Sequence, residues 1–105
     1  MPRVRVSDIR PDMRNIELTG RISRMGDKRE VETKFGPAKF AAAILEDDTG
    51  SVRLNLWRWQ VDTVREGDTI RIINAFVKTF EGQMELNVGG DGKIIVLSRA
   101  VKIER

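Results

Sequence analysis

The chain has 105 residues, is 40% apolar and 33% charged, and carries a net charge of +3 with no cysteine and no histidine. That length predicts one domain, 1–105, with a single modest core over about 6–97 and a short extension at 98–105. The missing thiol and imidazole exclude a disulfide framework and the usual zinc ligand sets, and they remove the commonest nucleophile and general base. No apolar run is long enough to span a membrane, and the first residues do not read as a signal peptide, so a cytoplasmic protein without membrane contact is expected. Residues 1–29 carry eight Arg or Lys against four Asp or Glu. Such a local excess attracts polyanions, although a solvated surface of mixed charge reads equally well from composition alone.

Arg10-Pro11-Asp12 breaks the chain before an alternating segment, Ile16 to Arg24, the first predicted strand. Gly20 falls on its inward parity, where a tightly coiled strand needs a gap. A charged loop, Gly26 to Glu30, leads through Val31–Lys34 to a turn at Phe35-Gly36-Pro37. Lys39–Leu45 is the second strand, closed by an acidic hairpin turn at Glu46–Gly50, and Ser51–Arg58 is the third. Trp59–Arg65 has the spacing of a short helix, stopped at Glu66-Gly67-Asp68. The fourth strand begins at Thr69, with Ile70 and Ile72 inward and then Ile73, Ala75 and Val77. That switch of parity predicts a β-bulge near Ile72-Ile73. Glu81-Gly82 is a tight turn, Gln83–Val88 the fifth strand, Gly89–Gly92 a loop, and Ile94–Leu97 a short further strand. Five strands with a helical insert between the third and fourth is the order of an all-β OB-fold, a five-stranded Greek-key barrel.

The large aromatics fall on the wrong side of these strands. Val52, Leu54 and Leu56 face inward, so Trp57 shares the outward face with Arg53 and Asn55. Phe76 and Phe80 point outward beside Asn74 and Lys78. Rings among cations on the solvent side of a sheet suit stacking against unpaired bases, each of which pairs a flat apolar face with a phosphate. Cover for a shallow apolar patch, or an oligomer interface, is the blander reading. Phe40 has the parity of Ala42 and Ile44, and a core position is its default. Phe35 is open between turn packing and ligand contact, Trp59 between packing on the helix and an extra stack. Arg21 reads as a phosphate contact or a solvated arginine.

Four stretches carry a resemblance: Thr33-Lys34-Phe35-Gly36, Glu46-Asp47-Asp48-Thr49-Gly50, Val52 to Trp57, and Glu66-Gly67-Asp68 running on through Asn74-Ala75-Phe76 to Leu86-Asn87-Val88-Gly89. In order and spacing the chain resembles the archaeal single-stranded DNA-binding proteins of the short, one-OB-fold type, relatives of the human sensor-of-single-strand subunits and of replication protein A. The resemblance implies non-specific binding of single-stranded DNA in replication, recombination and repair. It implies stacking on Trp57, Phe76 and Phe80, with Arg29, Lys34 and Arg53 lining the same groove. Lys78 and Arg21 add backbone contacts on the residue reading, and Asn55 adds edge hydrogen bonds. No cofactor or metal is implied, and the partners expected are single-stranded DNA, replication or repair proteins, and the nucleoid, with the chain itself a monomer. Trp59 departs from the family pattern. So does the end of the sequence at Arg105, where many members continue into a Gly/Arg-rich, acidic-ended recruiting tail. An RNA-binding OB domain and a protein-docking module remain the alternatives.

One segment invites an enzymatic reading. Asp48-Thr49-Gly50-Ser51 spells an aspartic-protease signature, but two acids precede it, and like charges resist the shared burial such a site needs. A hairpin turn accounts for the same residues, and no enzyme is expected.

Overall fold

The computed structural model describes residues 3–99, so most of the expected extension at 98–105 lies outside the described residues. A 3-10 turn, Val6–Asp8, precedes six strands: β1 (Ile16–Met25), β2 (Arg29–Thr33), β3 (Gly36–Asp47), β4 (Gly50–Trp57), β5 (Thr69–Phe80) and β6 (Gln83–Ser98). One helical turn, α1 (Gln60–Thr63), links β4 to β5, shorter than the 59–65 expected from spacing. The sheet order is β1-β5-β6-β4-β3-β2, and an added β1–β3 pairing closes five of the strands into a ring. β4 and β6 run parallel and the remaining pairs antiparallel. This is the five-stranded OB barrel the sequence predicts, with β2 standing outside the ring as one arm of a hairpin on β3.

Alternation builds the interior. Leu18 and Ile22 of β1, Ala41, Ala43 and Leu45 of β3, Leu54 and Leu56 of β4, Ile70, Ile72, Ala75 and Val77 of β5, and Leu86 and Val88 of β6 all fill the barrel. Each large aliphatic side chain so buried contributes roughly 1.5–3 kcal/mol, and no aromatic ring belongs to this cluster. Phe40 is a correction to the sequence reading. The core parity of β3 is that of Ala41 and Ala43, so Phe40 lies on the outer face although it is buried there. Gly20 sits where β1 crosses β3. A Cβ there would come within 2.7 Å of the Glu46 carbonyl oxygen, so the ring closes only over a residue without a side chain.

The bulge expected near Ile72-Ile73 is present, at Ile73–Ala75, and a second register shift in β5 lies at Thr69-Ile70. Asn74 takes the extra position with φ 59°, a left-handed conformation that Asn tolerates, and Ile73 is left only half-buried. The partner strand bows with it. Ala75 pairs with Val88 and Ile73 with Lys93, so Gly89–Gly92, expected as a loop, are an outward excursion within β6. The turn after α1 is tied to β1, with Asp68 accepting the Arg65 N–H (2.8 Å) and its carbonyl accepting that of Ile22 (2.8 Å). At the other end, Asp47 accepts hydrogen bonds from the N–H groups of Val6 (2.9 Å) and Thr49 (2.7 Å), binding the 3-10 turn to the β3–β4 hairpin. The protease-like tetrad is part of this turn and the strand leaving it. No helix among the described residues is long and apolar enough to cross a membrane.

Candidate nucleic-acid interface

The outer face of β3, β4, β6 and β5 is laid out in cross-strand rows. Strand register sets Ile44, Arg53, Glu85 and Lys78 side by side in one row, and Ala42, Asn55, Asn87 and Phe76 in the next. Phe40 and Trp57 begin a third. Continuing the parallel register of β4 and β6 brings Gly89 beside Trp57, so the third row is open where a side chain would otherwise fill it. A Cβ on Gly89 would lie 3.5 Å from the edge of the Phe76 ring.

Trp57 is fixed from beneath and from its backbone. Its ring meets Phe40 at 4.5 Å between centroids with the planes tilted by 56°, and the Arg29 guanidinium stands 5.4 Å from the Phe40 ring centre. Gln60, buried in α1, accepts the Trp57 N–H (3.0 Å) and donates to the Val88 carbonyl (2.7 Å), so one side chain pins the end of β4 to β6. Arg58 has φ 57°, and its N–H donates to the Lys39 carbonyl (2.8 Å). The chain turns sharply there, and Trp57 and Trp59 both reach the same groove.

That groove encloses about 880 Å³ and is lined by Phe35, Trp57, Trp59, Phe76 and Phe80, with Lys34, Arg58 and Lys78 among them. With Phe40 under Trp57, all six aromatic residues of the chain are gathered here. At Phe76 and Gly89-Gly90 the groove runs on into a second depression bounded by Arg14, Asn15, Asn74 and Asp91.

Six of the nine residues that the sequence assigns to the interface line the groove, Lys34, Asn55, Trp57, Phe76, Lys78 and Phe80, and so do Phe35 and Trp59, whose roles it left open. Arg29 stands next to it, over Phe40. Arg53 and Asn55 are tied inward. Arg53 Nε donates to Asn55 Oδ1 (3.0 Å) and faces Glu85 (3.4 Å), and Asn55 Nδ2 donates to Glu85 Oε1 (2.9 Å). Glu85, nearly buried, thus has its charge offset within the sheet. Arg21 lies away from the groove at the β1–β3 seam, paired with Glu46 (2.5 Å). Sequence reasoning missed Arg58, Gln60 and Gly89-Gly90. The positive φ at Arg58 leaves no mark in the sequence, and a lone Gln in a short helix carries no signal. The Gly pair was visible, but as a loop.

A ring of five strands in this order, with an aromatic-lined groove across β4, β5 and β6, defines an OB-fold domain. Residues 9–96 match the model of the family described as single-stranded DNA binding protein Ssb-like, OB fold. The single-stranded DNA binding protein Ssb of Saccharolobus solfataricus is 34% identical over 90 residues, which cover 86% of this chain and 61% of that protein. Replication factor A of Methanothermobacter thermautotrophicus is 31% identical over 81 residues, 76% of this chain but 10% of its own length. Among solved structures, the OB domain of Ta0387 from Thermoplasma acidophilum superposes with a TM-score of 0.77 at 25% identity, covering 98% of this chain and 93% of that one. The chain belongs to the Ssb-like OB-fold family of single-stranded DNA binding proteins. It spans about six-tenths of the length of the Saccharolobus relative.

Proposed function

We propose that the groove binds single-stranded DNA with little sequence preference. Bases stack on Trp57, Phe76 and Phe80, while Lys34, Lys78 and the neighbouring Arg29 neutralise phosphates. The observation that carries this reading is the segregation of the rings. The barrel interior is purely aliphatic, and every aromatic of the chain lies in or under one open, partly cationic groove. Each base–aromatic stack is worth roughly 1–3 kcal/mol and tolerates any base, and each phosphate met by a cation releases counterions. A platform of this size covers on the order of 4–6 nucleotides. Binding of this kind protects exposed strands during replication, recombination and repair, at the nucleoid of the cytoplasm and alongside replication or repair proteins. Its work is binding rather than catalysis.

The test is tryptophan fluorescence during titration with a five-nucleotide oligo-dT, in wild type and Trp57→Ala, at two salt concentrations. Quenching that fades with salt and is largely lost in the variant supports the reading. Absent quenching, or quenching that ignores both salt and the substitution, sinks it and returns the aromatic face to a protein-docking role, whose contacts respond little to salt. Competition with oligo-rU then measures how far the groove separates the two sugars.

A further inference from the structure

We infer that Phe35 and Trp59 form a second stacking pair, which lengthens the strand-binding site beyond the platform of Trp57, Phe76 and Phe80. The inference rests on the reading of the groove proposed above. Phe35 is 81% exposed and Trp59 55%, so neither ring serves the core. Both nevertheless line the same groove as the platform, one from the β2–β3 hairpin and one from the start of α1.

The backbone around each ring is anchored while the ring is left outside. At the hairpin tip, Thr33 Oγ1 accepts the Phe35 N–H (3.1 Å) and donates to the Gly36 carbonyl (2.7 Å), closing the turn that presents Phe35. At α1, the Trp59 carbonyl accepts the Thr63 hydroxyl (2.9 Å) and the Asp62 N–H (3.2 Å). Each ring also follows a cation in the chain. Lys34 precedes Phe35, with its ammonium 5.3 Å from the ring centre, and Arg58 precedes Trp59. Cation and ring side by side is the chemistry of one nucleotide, a phosphate and a base, and the groove carries it on two separate elements.

Position fixes what the pair adds. The second depression, where the groove continues past Phe76, includes no residue of the hairpin tip and none of 57–60. Phe35 and Trp59 lie at the other end with Trp57: β4 ends at Trp57, two residues before Trp59, and the β2–β3 hairpin carries Phe35 past the Phe40–Trp57 pair. A strand long enough to pass the three-ring platform meets them; a short one seated on that platform does not.

The experiment is fluorescence anisotropy of labelled oligo-dT of five and ten nucleotides with wild type, Phe35→Ala, Trp59→Ala, Trp59→Phe and Trp57→Ala. Both alanine variants are expected to bind the five-mer as wild type does and the ten-mer about 5- to 150-fold more weakly, one lost stack each. Trp59→Phe should recover most of its loss. The slope of log affinity against log salt should stay as in wild type for Phe35→Ala, because a ring and not a charge is removed. Circular dichroism melting, unchanged in each variant, separates a contact from a folding defect. If wild type binds both oligomers and Trp57→Ala loses both, while Phe35→Ala and Trp59→Ala track wild type at either length, the second pair is refuted and the platform stands. If wild type binds neither oligomer, the platform itself fails and the second pair with it.

Discussion

The groove and the rest of the barrel surface set the same charged residue types in different company. Away from the groove, several cations are paired with carboxylates, although among the described residues Arg5, Arg24, Arg65 and Lys93 have none within 4.0 Å. Arg21 meets Glu46 at 2.5 Å, Arg3 and Arg71 share Glu17 at 3.7 and 4.0 Å, and Lys28 and Lys39 both reach Asp62. Arg99 meets the buried Asp68 at 3.2 Å. Among the described residues, Lys34, Arg58 and Lys78 have no carboxylate within 4.0 Å, although Glu85 lies on the same face. Arg53 and Asn55 hold that one acid, which leaves the other cations of the groove open to a polyanion. Exposed ion pairs add little to stability, typically below about 1 kcal/mol each, so pairing matters here chiefly for how much positive charge each cation still offers a polyanion. What sets the groove apart is that its unpaired cations stand among aromatic rings, which the rest of the described surface lacks.

The comparison breaks first at Trp57. Trp57→Ala should weaken a five-nucleotide oligo-dT by roughly 5- to 150-fold in anisotropy titrations, the loss of one stack. Gln60→Ala tests whether the groove depends on its anchoring. It leaves the Trp57 N–H and the Val88 carbonyl without their partner, so a urea midpoint lowered by about 1–3 kcal/mol of stability is expected, with weaker oligomer binding in the same protein. Salt sharpens the contrast between free and paired cations. Lys34→Ala and Lys78→Ala should each reduce the log–log salt slope by about 0.7, and Arg21→Ala, paired and outside the groove, should leave it unchanged. A slope that falls equally in all three would erase the distinction drawn here.

Much of this was legible because a closed barrel enforces alternation. Val52, Leu54 and Leu56 are buried as their parity demands, and Trp57 is turned out with Asn55. Where alternation gave no contrast, the reading failed. Phe40, Ala42 and Ile44 interleave with Ala41, Ala43 and Leu45, so both faces of β3 look apolar, and the large ring drew the wrong choice. β2 has one apolar residue, Val31, among charged neighbours, because it packs on β3 outside the ring and has little to bury. The bulge was readable from the parity switch to within two residues. Its place at Asn74 depends on a left-handed φ that sequence does not display. The hold of Glu85 on Arg53 and Asn55 arises from a parallel pairing of strands about thirty residues apart, which no local pattern announces.

Acid separates the two regions by a smaller effect. Burial alone would raise the Asp47 carboxyl, but hydrogen bonds from the Thr49 hydroxyl and from the N–H groups of Val6, Thr49 and Gly50 outweigh it and hold it below its ordinary value of 3.8. A carboxyl depressed in the folded state binds its proton less readily there than in the unfolded chain. Its stabilisation is therefore fully present above pH 3.8 and drains away as the pH falls through the lower folded value. Asp47→Asn should lower the melting temperature at pH 7, and that deficit should shrink as the pH drops below about 4. Because Asp47 ties the 3-10 turn to the β3–β4 hairpin and lines no part of the groove, the same variant should bind oligo-dT at pH 7 with wild-type affinity. A deficit that stayed constant with pH would show that the turn is held by packing and not by its carboxylate. A loss of affinity at pH 7 would show that the hairpin end of the barrel is coupled to the groove after all.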